Sequence, residues 1–496
     1  MATSRARKTT GQIAWTRDLA RDLFPGVATP FAWTTLCTPA EAALRRALAA
    51  LGATSAGAPT SADPGLWQRD LDGQVYVNAT ALADAAHRLH GAAWLGSIRG
   101  EMPGGVLGRL QTGGVIRKAQ ARITAALTEV PDVHGRVAKW LEWVRGLRWT
   151  QADLLQVMEE LEPKARGALQ IYFILRAGLS AAATQMTDRL AEWLPERPPD
   201  VTWGLYVGLA DMPSVEAAYA LAVAARDEAS RATALARFGH RGPDEMRPDG
   251  IRWADHPALL ASLADLRPLR NRDSAHIQRQ AVEAWVFGQL DVSQSRQFEA
   301  ALRRTQALCA AADVAWDAVT MVMAAAQRWA EATASEAMSA GLIARPADVL
   351  YLELEELKQV ATGEWHPGRS AAVQDEVVRR RTQIAARPAA EPGRQSLPAG
   401  PGQGGGPAYL ASPAAEPPPP AAIWLTDAAD PGCAPFWLGA GAIVTAMADP
   451  WSPGLIVART LGVPAVIGAA EVISAAQPGQ TVVVDGDAGQ VSLDVM

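Results

Sequence analysis

The stretch Thr445–Val466 reads T-A-M-A-D-P-W-S-P-G-L-I-V-A-R-T-L-G-V-P-A-V. It sits among short apolar runs separated by Gly and Pro turns: Ile423–Thr426, Ala442–Thr445, Ala465–Gly468 and Thr481–Val484. Runs of this length and composition read as buried strands. Together they predict a small α/β domain of ~75 residues, near the lower end of independent domains. Ser452 precedes an apolar helical run and is suited to cap its N-terminus. As a nucleophile it lacks both a G-x-S-x-G context and a paired histidine. Pro453 beside it has no nucleophilic nitrogen. Asp485 and Asp487, in V-D-G-D-A-G, read as turn residues shaped by Gly486 and Gly489.

The same stretch resembles the active-site segment of the swivelling phosphohistidine domain shared by phosphoenolpyruvate synthase, pyruvate phosphate dikinase and the rifampicin phosphotransferases. That family reads T-x-x-G-G-x-x-S-H-x-A-I-V-A-R-E-x-G-I-P-A-V. Thr445, Ser452, Ile456, Val457, Ala458, Arg459, Gly462, Pro464, Ala465 and Val466 match it. The phosphate-carrying histidine is replaced by Pro453, the two glycines by Ala448 and Asp449, and the closing acid by Thr460. Thr445, Ser452, Pro453 and Arg459 therefore resemble a degenerate phosphohistidine site.

Outward from this stretch the composition changes. Residues 387–421 contain P-A-G-P-G-Q-G-G-G-P and P-A-A-E-P-P-P-P, strings expected to act as a linker or a loose strand region and not to form a packed core. The part before it reads as mostly helical. Ala40–Leu51 is an amphipathic run closed by Gly52, and Thr150–Leu161 opens T-Q-A-D, an N-cap followed by an acid. Ala300–Gly341 is a long Ala-rich run, read as one long helix or two stacked ones, and Asp72–Asn78 is a turn-strand signal. The expected architecture is α+β and multidomain. A large, mostly α-helical domain (1–385) is followed by a Pro/Gly-rich linker or degenerate strand region (386–421) and a small α/β domain (422–496).

The helical part also resembles the substrate-binding domain of rifampicin phosphotransferases, in co-linear segments. Phe24–Trp33 (F-P-G-V-A-T-P-F-A-W) resembles F-P-G-x-x-T-P-L, and Gly73–Asn78 resembles G-x-x-Y-x-N. Gly208–Glu216 resembles G-L-x-x-x-x-x-x-E, and Phe238–Trp253 resembles Y-G-H-R-G-x-x-E-x-x-x-x-x-P-R-W. Asp348–Leu357 resembles D-V-F-Y-L-T-x-E-E-L. The resemblance implies substrate contacts from Thr29, Phe31, Trp33, Trp203, Asp211, Met212 and Glu216, gathered in one cavity of the helical half. His240, Arg241 and Glu245 are the candidate catalytic residues. A histidine can move a proton near neutrality, and an arginine can hold a carbonyl or carboxylate. The competing reading of G-H-R-G is a structural turn. The family's ATP-grasp domain has no counterpart here, no phosphate loop is present, and alanines occupy Leu308–Val314 where the family carries an Arg-Glu pair.

Bulk properties narrow the function classes. The chain has 496 residues and a net charge of −6, which argues against nucleic-acid binding. Cys37, Cys309 and Cys433 match no metal or disulfide spacing, so a reduced, cytoplasmic setting is expected, with no metal and no cofactor. His87 and His90 share a helix face without a third ligand. The basic N-terminus precedes no apolar signal core, and apolar runs such as Ala217–Ala225 are too short to span a membrane. Trp supplies 17 of the 30 aromatic residues, a supply suited to cores and to pockets for bulky apolar ligands. The leading expectation is a repurposed scaffold that binds a bulky apolar natural-product-like molecule. It would catalyse a cyclisation, dehydration or isomerisation without a cofactor. The alternatives are a non-catalytic sequestering protein, or a partner of a separate ATP-grasp subunit of the same pathway.

Overall fold

The structure, a computed structural model, describes residues 13–54, 65–70, 73–89, 93–94, 98–99, 105–364, 370–384, 396–410 and 416–494. Asp72 and His90, singled out in the sequence, lie outside the described residues. The architecture is α+β in two parts, a large helical body and a C-terminal sheet domain.

The body is built on α1 (Pro30–Ala50), α2 (Gly105–Arg145), α3 (Gln151–Trp193), α4 (Pro213–Ala224) and α5 (Val292–Ser339), with shorter helices between them. Local chemistry sets their starts. Thr29 Oγ1 accepts from the Ala32 N–H at 3.2 Å, and Pro30 occupies the first turn, where its missing N–H costs nothing. Thr150 and Asp153 form a reciprocal capping box at the head of α3, and Asp291 and Gln294 do the same for α5. The Ala-rich run is thus a single 48-residue helix. Its small side chains let α3, α2 and the long helices around it approach closely. An 18-residue window of α5 is apolar enough to cross a membrane, but 83% of that window is buried inside the protein, as in a core helix.

The C-terminal part holds seven strands: β1 (Leu397–Gly400), β2 (Gln403–Tyr409), β3 (Ile423–Thr426), β4 (Ala442–Thr445), β5 (Ala465–Ile467), β6 (Thr481–Asp485) and β7 (Gln490–Leu493). Their order is β7-β6-β2-β3-β4-β5-β1. The four central strands run parallel, and the flanking ones antiparallel. The glycine-rich string is therefore more than a linker, since it supplies β1 and β2. A Cβ on Gly404 would lie 2.4 Å from the Gly441 carbonyl oxygen, and one on Gly406 would lie 2.0 Å from that of Ala421. Backbones press together at this point, and only glycine permits it.

Helix α6 (Pro453–Thr460) connects β4 to β5 and is buried along its whole length. One face of the sheet packs on its own small cluster, including Ile423, Val444, Val466 and Val482. The other face joins the core of the helical body in one continuous apolar cluster. Polar ties reinforce this docking. The Gly208 N–H donates to the Thr460 carbonyl at 2.7 Å, and Arg270 Nε donates to that of Gly462 at 2.8 Å.

Candidate active site

The loop between β4 and α6 holds the segment expected to resemble a degenerate phosphohistidine site. Thr445 Oγ1 turns back to donate to the Met447 carbonyl at 2.9 Å. Asp449 stands where the resembling family has glycine. Its carboxylate accepts from the Trp451 N–H at 2.9 Å and from Arg176 Nη2 of α3 at 2.6 Å, with both side chains buried. Arg459 is also buried. It donates to the carbonyls of Ala399 at 2.7 Å and Pro450 at 2.6 Å, and its guanidinium lies 4.2 Å from the Trp203 ring and 4.7 Å from that of Trp451. Burial pushes its pKa down to about 10. Arg459 thus serves as a packed clamp between domains. Ser452 occupies the N-cap position of α6, as expected, but its buried hydroxyl caps nothing. A Cβ on Gly454 would lie 2.0 Å from the Ala429 carbonyl oxygen, so the head of α6 is pressed against the loop 427–430.

A second buried network surrounds the G-H-R-G motif. Arg241 forks onto Glu245 through Nε at 2.9 Å and Nη2 at 2.7 Å. Its Nη1 reaches Ser214 Oγ at 2.5 Å and Asp317 Oδ1 at 3.3 Å. Asp317 of α5 also meets His240 Nε2 at 3.1 Å and His134 Nε2 at 2.9 Å. Burial works to raise the Asp317 pKa, but His240, His134 and Arg241 outweigh it and hold the carboxylate far below its usual range. Burial lowers the pKa of His240, against the pull of Asp317. Asp313, which accepts from the Ser214 N–H at 2.9 Å, is pushed up by burial to about 6. Trp316 Nε1 donates to Glu245 Oε1 at 2.8 Å.

Glu245 links this network to a cavity of about 270 Å³ between the two parts of the protein. Trp316 of α5 comes from the helical body, and Tyr409, Trp424 and Trp437 from the sheet domain. Pro453, at the head of α6, also lines it. The polar lining includes Asp22, Asp244, Glu245 and Asp430. Asp430 heads the D-P-G turn at 430–432. Its carboxyl accepts from the Gly432 N–H at 3.0 Å and the Asp244 N–H at 2.5 Å. Burial, and then the charges of Glu245 and Asp244, push the Asp430 pKa to about 8 against those two hydrogen bonds. Burial and then Asp449 likewise raise Asp22 well above the usual carboxyl range, against Arg176. The cavity thus has aromatic walls and, at Asp430, a carboxyl group whose pKa is pushed above neutrality.

The expected site residues do not converge on this cavity as a group. Of the catalytic trio only Glu245 lines it, while His240 and Arg241 stand behind and fix that carboxylate. Thr29 caps α1 and borders a separate small recess. Phe31 stacks on Trp329 with ring centroids 6.1 Å apart, and Trp33 packs on Phe24 at 5.9 Å. Trp203 covers Arg459. Met212 is buried, with its Sδ 3.4 Å from Thr460 Oγ1. Asp211 is an exposed loop residue at φ +58°, and Glu216 pairs with Arg237 at 2.5 Å. The single cavity expected within the helical half is replaced by one between the halves. Asp22, Trp316, Tyr409, Trp424, Asp430 and Trp437 escaped the sequence reading. The only local signal was Asp430 before Pro431 and Gly432, a pattern shared with ordinary turns. Among the described residues, no three His, Cys, Asp or Glu side chains are placed to hold a metal ion.

Comparison with known families bears on the C-terminal part. Residues 418–489 match the family described as PEP-utilising enzyme, mobile domain. No curated protein matches the chain. The matched span runs from just before β3 through β6 and includes Asp430, Pro453 and Arg459. The C-terminal domain is thus similar to the mobile domain of PEP-utilising enzymes.

Proposed function

We propose that this protein is a repurposed, rifampicin-phosphotransferase-like scaffold that converts a bulky apolar natural-product-like molecule without phosphoryl transfer. The reaction class is a cofactor-independent cyclisation, dehydration or isomerisation driven by proton transfer. One observation carries the reading: Asp430, with a pKa pushed to about 8, lines the aromatic cavity beside Pro453. A carboxylic acid still protonated at neutral pH is a general acid, and an aromatic enclosure holds an apolar chain in a reactive fold. Glu245, fixed by the Arg241 fork and by Trp316, supplies the second carboxyl group of an acid–base pair. Proton donation by Asp430 to a substrate oxygen and proton removal by Glu245 leave the enzyme ready for return of the proton between them. His240 and Arg241 position Glu245 from behind the wall.

Incubation of the purified chain, without nucleotide, with a panel of bulky apolar polyketides and terpenoids tests this by mass spectrometry. The expected product has the mass of the substrate, or that mass less one water. No new chromatographic species from any substrate, or phosphate on a product or on a histidine of the chain in a parallel incubation with ATP, overturns the reading.

A further inference from the structure

The cavity walls hold hydrogen-bond donors that the described residues leave without acceptors. Trp424 Nε1 and Trp437 Nε1 are buried and meet no acceptor among the described residues. Trp424 is 6% exposed and Trp437 1%, and both line the cavity. Their rings meet edge to face, with centroids 6.3 Å apart, so the two indoles form one corner of the wall. Trp316 differs, because its N–H is spent on Glu245. A buried N–H without a partner costs about 1–3 kcal/mol, and a ligand acceptor would recover it. The guanidinium groups of the cavity lining are Arg21 and Arg247, and Arg247 is paired with Asp249 at 2.8 Å.

We propose that the cavity selects ligands bearing a carbonyl or ether oxygen on an apolar ring system, received by the indole N–H groups of Trp424 and Trp437 and by the carboxyl group of Asp430. This rests on the proposed function for its choice of cavity and deepens it by naming the substrate class. Five groups bear on the protonation of Asp430: Asp244 and Glu245 from the facing loop, Arg252 behind them, and Cys433 and the Gly432 N–H on its own turn. The acidic neighbours favour the protonated form, which donates to an oxygen. The opposing possibility is a cationic ligand, which carboxylates within an aromatic box also attract.

Isothermal titration calorimetry on the full chain separates the two, with α-tetralone, its deoxy isostere tetralin, and the ammonium aminotetralin as probes. Tetralone is expected to bind about tenfold more tightly than tetralin, the gain of one or two net hydrogen bonds. Trp424→Phe and Trp437→Phe should each reduce tetralone affinity severalfold and leave tetralin unchanged. Tetralone affinity should fall as pH rises through about 8, where Asp430 loses its proton, and Asp430→Asn should remove that dependence. Three results overturn the proposal: preference for aminotetralin that strengthens with rising pH, equal binding of tetralone and tetralin, or no binding of any probe. The two readings fail separately. Selective tetralone binding with no turnover of any oxygenated substrate would sink the catalytic reading and leave the ligand class standing. Asp430-dependent turnover of an oxygenated substrate by a chain that binds tetralone and tetralin equally would do the reverse.

Discussion

At the residue scale, the substitution at 453 and the wiring of Arg241 decide the chemistry. Pro453 cannot carry a phosphoryl group, and Asp449, in place of a glycine, is consumed by Arg176. The buried polar groups of this segment, Asp449 and Arg459, thus serve packing. Arg241 offered two readings from sequence, chemical anchor or structural turn. The geometry favours positioning, because every contact of its guanidinium is to a buried side chain. Arg241→Ala leaves Glu245 and Asp317 as buried carboxylates without their cation. A loss of about 3–5 kcal/mol is expected, because removing one partner strands the other in a low-dielectric interior. Chemical denaturation measures it, and a variant as stable as the parent would place Arg241 outside any structural role. The motif was legible in the sequence, but its role was not. The partners Ser214 and Asp317 lie 27 and 76 residues away, and no spacing rule connects them.

At the element scale, the glycine-rich strand β2 shows where periodicity fails. Q-G-G-G-P-A-Y has no apolar alternation, so it reads as a linker or a loose strand region, and it pairs with β3 on one side and β6 on the other. Its glycines are explained by neighbours that only the fold brings near. Gly406→Ala should destabilise by about 1–3 kcal/mol, because its Cβ would overlap a backbone carbonyl that cannot move away as a side chain can. Gly405→Ala is the control, since its Cβ would meet nothing closer than 3.9 Å. Thermal melts of the two variants should differ clearly, and equal melting would mean that the β2–β3 pairing is looser than described. By contrast, the helices were legible because their caps are local. T-Q-A-D marks the start of α3 in four residues and forms the capping box there. The helix then runs on to Trp193, much further than Leu161, because burial against α1 and α5 extends what the cap begins.

At the scale of the whole molecule, the two parts share one core, and the cavity belongs to neither alone. The helical body contributes Asp22, Glu245 and Trp316, and the sheet domain contributes Trp424, Asp430, Trp437 and Pro453. This is why the fold class could be read from sequence while the site could not. Strand and helix signals are local, whereas a cavity between domains depends on docking, which leaves no pattern in either segment. The central claim is that Asp430 acts from this cavity as the general acid. The most direct measurement is the pH dependence of kcat/KM, from about pH 6 to about pH 10, for the parent chain and Asp430→Asn on the converted substrate. The active form of Asp430 is the protonated one, so the parent's rate is expected to be level at low pH and to fall as pH rises through about 8. Asp430→Asn is expected to be slower by about a hundredfold or more and to lack that fall. A variant that turns over at the parent's rate with the same pH profile would contradict the claim.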